Sequence, residues 1–96
     1  MQKSMQEQID GIVKIRNSVS YNLEVGQYRA AVMVAKKSAL TEWLFSECRK
    51  IIRDYVEKGQ NQLLRIFIAD MSKAWPEKRE DLINEVVAVR SEPCKL

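Results

Sequence analysis

The apolar residues of this chain recur every three or four positions along most of its length, which is the spacing of one face of a helix. The first series covers roughly residues 4 to 23, and its apolar positions are Met5, Ile9, Ile12, Val13, Val19 and Leu23. Gly26 follows this series. Glycine readily adopts the left-handed conformation that ends a helix and reverses the chain. The pattern therefore predicts a first helix and a turn at Gly26.

A second series extends from Gln27 to Lys58, and this stretch contains neither glycine nor proline. Its apolar positions are Tyr28, Ala31, Val32, Ala35, Ala39, Trp43, Leu44, Cys48, Ile51, Ile52 and Tyr55. We predict one long second helix of up to about 32 residues, which would measure about 48 Å at 1.5 Å per residue. Such a helix is longer than so small a domain is wide, so we expect a bend or break near Lys37 and Ser38.

Two further helices are predicted on either side of Pro76. The third has the apolar positions Leu63, Leu64, Phe67, Ile68, Met71 and Trp75, and the fourth has Leu82, Ile83, Val86, Val87 and Val89. Pro76 ends the third helix because it lacks an N–H and disfavours helical torsions at the residue before it. The predicted fold is all-α: a small bundle of about four helices with a long second helix, bent or broken. Residues 1–91 are expected to form a single helical domain and residues 92–96 a short C-terminal tail.

Composition agrees with one folded domain. The 96 residues are 46% hydrophobic and 30% charged, which is typical of globular proteins and not of disordered chains. Apolar runs are far shorter than the roughly 18 residues that span a bilayer, and the N-terminus is polar, so we expect a cytoplasmic protein without a membrane span. Cys48 and Cys94 belong to no Cys-x-x-Cys pair. A reducing compartment, with Cys48 as a small buried hydrophobe, is the expectation.

Candidate catalytic chemistry is sparse because the chain contains no histidine. This removes the usual general base, the imidazole-dependent nucleophiles and most zinc sites. No glycine-rich phosphate loop and no calcium-binding loop occur in the sequence. Carboxylate pairs such as Glu80 with Asp81 are ordinary on solvated helix faces. We therefore expect no enzyme, no catalytic residue, no metal and no cofactor.

The charge distribution is more informative than its sum. Residues 27 to 58 contain seven basic and four acidic side chains, and this difference equals the net charge of +3 for the whole chain. The predicted basic surface consists of Lys36, Lys37, Arg49, Lys50, Arg53 and Arg65. It is a candidate site for phosphates or for an acidic protein. The other interpretation is a solvated face whose long basic side chains cover apolar surface.

Large apolar residues also indicate a partner site. Trp43, Leu44 and Phe45 are consecutive, and successive side chains on a helix point about 100° apart, so they cannot all face one core. Ile66 lies opposite part of the apolar stripe of the third helix. Phe45, Ile66 and their neighbours are therefore a candidate contact patch. The alternative is a long central helix that is buried on several sides.

One segment carries a local resemblance. Gly26, Tyr28 and Ala31, with small residues after them, resemble the turn and second helix of a tetratricopeptide repeat, in which Gly, Tyr two positions on and Ala five positions on are typical. The likeness covers residues 26 to 40. Positions 15 to 19 lack the aromatic residue and the Leu-Gly pair of that repeat, and no second copy exists. The resemblance implies a tight helical hairpin with small residues at the crossing.

These observations lead to three functional hypotheses. The first is a non-catalytic protein-binding regulator: a small adaptor, inhibitor or assembly factor that docks a helical surface on a larger protein. An origin in a virus or mobile element would suit a regulator this short. The second is a nucleic-acid-binding regulator that uses the basic surface of the second helix, and the third is a structural subunit that self-associates. The candidate partner-binding residues are Trp43, Phe45, Arg49, Lys50, Arg53 and Ile66.

Overall fold

The computed structural model describes residues 5–91, with side chains from residue 9 onward. Within this range the chain forms α1 (Met5–Glu24), α2 (Tyr28–Lys37), α3 (Thr41–Glu57), α4 (Asn61–Ala74), a 3-10 turn (Pro76–Lys78) and α5 (Arg79–Arg90), and it contains no strand. The all-α prediction is confirmed. The predicted number of about four helices is wrong, because these residues form five. The predicted tail, residues 92–96 with Cys94, lies outside the described residues.

The long second helix of the prediction is two helices. α2 ends and α3 begins around Ser38 to Leu40, where Ala39 has a φ of 55°. The Leu40 N–H donates to the Ala35 carbonyl at 2.8 Å and the Ala39 N–H donates to the Lys36 carbonyl at 3.5 Å. This double hydrogen bond around a left-handed residue is a Schellman helix end. The chain therefore breaks beside the expected position and does not continue as one helix.

The same helix end recurs twice, each time with a glycine. Gly26 has a φ of 80° and Gly59 a φ of 68°, and the residue after each donates to the carbonyl five positions earlier. Ala39 occupies the equivalent place in the α2 to α3 turn, at a cost of about 1–2 kcal/mol for its Cβ. Because Ala39 fits the helical pattern on both sides, the sequence carries no local signal for this third turn, and only the length of the predicted helix indicates a break.

All five helices contribute to one core, which contains no buried polar residue in the part of the chain with described side chains. The buried residues are Val19, Leu23, Ala31, Val32, Ala35, Leu44, Cys48, Ile52, Leu64, Phe67, Met71, Trp75, Leu82 and Val89. Ala31 and Ala35 are fully buried in α2. α1 and α2 also pack against each other, as the predicted hairpin requires.

The two halves of α1 have different surroundings. Val19 and Leu23 are buried, whereas Ile9, Ile12 and Val13 are each exposed by nearly half of their surface. The N-terminal half of this helix therefore presents an apolar stripe to solvent. Across residues 5–91 no helix combines the length and the apolar character that crossing a bilayer requires.

Candidate binding groove

Helix α5 has apolar side chains on two of its faces. Leu82 is fully buried and Val89 nearly so, whereas Ile83 is 42% exposed and Val87 is 58% exposed. Because adjacent residues of a helix point about 100° apart, one neighbouring helix cannot cover both sets. Among the described residues, no element covers the face that carries Ile83 and Val87.

This second face of α5 forms one wall of a groove, and α4 forms the other wall. The groove has a volume of about 650 Å³. Its lining residues are Leu64, Arg65, Ile68, Ala69, Ser72 and Lys73 from α4, and Arg79, Ile83, Val86, Val87 and Arg90 from α5. Within each helix these residues recur at the spacing of a single stripe, so the groove follows both helices for most of their length.

The ends of the groove are basic. Only the short 3-10 turn separates α4 from α5, so Lys73 near the end of α4 and Arg79 at the start of α5 lie at the same end. At the other end the Arg90 Nη2 donates to Asn61 Oδ1 at 3.3 Å, which places Arg90 beside the start of α4 and therefore close to Arg65. Among the residues with described side chains, no acidic one lines the groove. The floor is thus apolar and each end has a pair of cations.

These cations differ from Lys36, Arg49 and Lys50, each of which has a carboxylate partner. Among the residues whose side chains are described, no carboxylate forms an ion pair with Arg65, Lys73, Arg79 or Arg90. The oxygen that Arg90 contacts belongs to a neutral amide, so its charge is not compensated there. The positive potential of the groove is therefore available to a ligand.

The predicted basic surface is largely neutralised. Arg49 Nε lies 3.4 Å from Glu85 Oε1 of α5, and Lys50 Nζ lies 3.3 Å from Glu47 Oε1 within α3. Lys36 pairs with a carboxylate too, because its Nζ lies 2.9 Å from Oε2 of Glu77, and this hydrogen bond lowers the Glu77 pKa. Arg53 and Lys37 are exposed on α3 and α2, respectively, and Arg65 belongs to the groove.

The predicted apolar patch is divided between two places. Phe45 is half-buried, with its ring edge-on to Trp75 at 6.5 Å between centroids and the Lys78 Nζ 5.4 Å from its own centroid. Trp43 is also half-buried, and Arg16 lies 5.4 Å from its ring. Ile66 is 50% exposed on α4, but it does not line the groove. A partner-binding role for the six candidate residues remains a prediction.

Sequence reasoning missed the groove residues of α5. The spacing groups Ile83, Val86 and Val87 with Leu82 and Val89 as the apolar positions of one helix. The available signal is the width of this set: at about 100° per residue the five positions span about 160° of the helix, more than the roughly 100° of an ordinary core-facing stripe. Among the described residues the neighbouring helices cover Leu82 and Val89 fully or nearly so, and leave Ile83 and Val87 exposed.

The titratable groups of the interior do not form a reactive site. Cys48 is fully buried, as expected, and burial together with the negative charge of Glu47 raises the pKa of its thiol to about 12. The thiol therefore stays protonated and weakly nucleophilic at neutral pH. Burial also raises the pKa of Tyr28, whose ring packs against Phe67 at 5.6 Å. Within residues 5–91, no three His, Cys, Asp or Glu side chains are grouped as a metal site requires.

Comparison of the chain with known protein families, with curated proteins and with solved structures finds no match. Any functional argument must therefore start from the surfaces of the molecule itself. The α4–α5 groove combines a volume of about 650 Å³, exposed apolar side chains and cations without acidic partners among the described residues.

Proposed function

We propose that this protein is a non-catalytic protein-binding regulator, an adaptor, inhibitor or assembly factor, that holds a segment of a larger protein in the α4–α5 groove. The observation that carries the proposal is an apolar groove of about 650 Å³ with two pairs of cations at its ends. Contiguous exposed apolar surface with a polar rim is typical of protein interaction sites. Burying Ile83 and Val87 under a partner would remove from water two of the most exposed large apolar side chains of α5.

The alternative is a nucleic-acid-binding regulator that uses the basic surface of α2 and α3. Affinity for nucleic acid comes mainly from cations that replace counterions along the phosphates. Lys36, Arg49 and Lys50 already have carboxylate partners, which weakens their attraction to phosphate. The groove has cations without such partners, but an apolar floor contributes nothing to binding a phosphate backbone. The combination of apolar floor and basic ends therefore favours a protein partner.

The test is affinity purification from cells of the native host with three forms of the protein. These are the wild type, the groove variant Ile83→Asp/Val87→Asp, and the control variant Tyr21→Asp/Val25→Asp. The control positions are 63% and 48% exposed, lie outside the groove, and undergo the same change in charge. Circular dichroism and thermal unfolding establish that all three forms are folded.

We expect one protein to be retained by the wild type and the control and to be lost from the groove variant. A protein retained equally by all three forms would show that the groove is not its binding site. Recovery of nucleic acid alone, with binding that weakens steeply between low and moderate salt, would favour the alternative function.

A further inference from the structure

We infer that the segment held in the groove is an acidic amphipathic α-helix, an inference that rests on the proposed function. It combines three observations: the groove lies between two helices, its floor is apolar, and the charged residues that line it within the described part of the chain are four cations.

The geometry favours a helix over an extended peptide. The backbone N–H and C=O groups of α4 and α5 are used within the helices, so neither wall offers an open edge to which a strand could bond. An extended segment would place its own backbone groups on an apolar floor without partners, which is unfavourable. A helix satisfies these groups internally and packs its side chains against both walls.

The length of the groove sets the length of the ligand. Arg79 and Arg90 are eleven positions apart on α5, which corresponds to about 16 Å of helix axis. Arg65 and Lys73 are eight positions apart on α4, or about 12 Å. A helix of about three turns, with apolar residues at i, i+3 or i+4, and i+7, covers the same distance. These apolar positions would face Ile68, Ile83 and Val87.

The charges of the groove favour a negatively charged partner segment. A ligand with Asp or Glu about two turns apart would place a carboxylate near each pair of cations, Lys73 with Arg79 and Arg65 with Arg90. A basic ligand would meet like charges at both ends, and none of the described lining residues is acidic. A second copy of this chain matches less well, because its net charge of +3 has the same sign as the groove.

The first experiment is selection from a phage-displayed library of peptides that form three-turn helices, with wild type as bait and Ile83→Asp/Val87→Asp for counter-selection. We expect the groove-dependent peptides to carry the apolar spacing above together with Asp or Glu two turns apart. Groove-dependent peptides without enrichment in Asp or Glu would overturn the inference of an acidic helix. The proposed function, binding of a protein segment in the groove, would then still stand. If no groove-dependent peptide is selected, the proposed function fails as well.

The second experiment reverses the charge at one end of the groove. Fluorescence anisotropy compares one selected peptide with its Glu→Lys form on the wild type and on Lys73→Glu/Arg79→Glu. The wild type should bind the acidic peptide about tenfold more tightly, and the reversed variant should lose or invert this preference. Equal affinities on the wild type would overturn the inference. Groove-dependent binding of phosphatidylglycerol vesicles or of a DNA oligonucleotide, with no such binding of the acidic peptide, would overturn it in favour of another anion.

Discussion

The outward side of α3 and the α4–α5 groove both combine basic residues with large apolar ones, but they differ in what covers them. On α3, Arg49 and Lys50 contact carboxylates, and Phe45 is packed against Trp75. In the groove, Lys73 and Arg79 have no acidic partner among the described side chains, and the apolar residues remain exposed. The α3 surface finds partners for these charged and apolar side chains within the molecule, whereas the groove does not find them among the described residues.

This difference shows why a count of charges along the chain does not identify a binding surface. Residues 27 to 58 contain the whole excess of positive charge, yet part of it is compensated by Glu77 and Glu85, which are distant in sequence. The potential outside the molecule depends on which charges remain without partners after folding. The predictions below test whether α3 contributes mainly to stability and the groove mainly to binding, from the largest expected effect to the smallest.

Neighbouring residues of α5 provide the strongest test. Leu82→Ala should lower the free energy of unfolding by about 2–5 kcal/mol, because it leaves a cavity in the core. Ile83→Ala should lower it by less than about 1 kcal/mol, since its side chain is 42% exposed. Chemical denaturation measures both. A loss at Ile83 as large as at Leu82 would mean that the groove face is part of the core.

Phe45 and Ile66 give the next largest contrast, as residues predicted together to form one patch. Phe45→Ala should cost about 2 kcal/mol, because the ring is half-buried and makes an edge-on contact with Trp75. Ile66→Ala should change the free energy of unfolding by less than about 0.5 kcal/mol, because half of the side chain is already in water. Denaturation curves of the two variants check this. If both variants lose similarly little free energy of unfolding, Phe45 does not stabilise the fold and is again a candidate contact residue.

Much of the fold follows from periodicity in the sequence. Four of the six apolar positions predicted for α4, Leu64, Phe67, Met71 and Trp75, are buried, whereas Ile68 is half-buried and Leu63 is 47% exposed. The break at Ala39 could be expected only from the length of the predicted helix, because alanine is a good helix former and gives no local turn signal. The number of helices therefore depends on Ala39, an exposed residue whose left-handed conformation the residue type does not indicate.

The candidate site was less predictable, for two physical reasons. The ion pairs Arg49–Glu85 and Lys36–Glu77 join residues of different elements, and their formation depends on how those elements pack. The groove depends on which side of α5 meets the core, and a set of apolar residues on two faces is compatible with either side. Both depend on tertiary packing, which the spacing of residues along one helix does not determine.

The dependence of stability on alkaline pH tests the burial of Cys48 on the inner side of α3. Burial raises its folded-state pKa from 9.0 to about 12, so the protonated thiol stabilises the folded form. This contribution is complete below about pH 9 and is lost as the pH rises toward 12, at about 1.4 kcal/mol per pH unit. The wild type should therefore lose stability faster than Cys48→Ala between pH 9 and 10. Parallel pH profiles from denaturation of the two proteins would show that the thiol is accessible in the folded state.

The smallest expected effects concern single cations on the two surfaces. Arg49→Ala should lower the free energy of unfolding by about 0.5–1 kcal/mol, because it leaves the mostly buried carboxylate of Glu85, 18% exposed, without its partner. Arg79→Ala should leave stability unchanged within about 0.3 kcal/mol, since this residue has no acidic partner in the described part of the chain, and should instead weaken binding of a groove-selected peptide. Denaturation and fluorescence anisotropy on the same two variants measure both quantities. If Arg49→Ala lowers the affinity for the peptide more than Arg79→Ala does, the peptide binds at α3 and not in the groove.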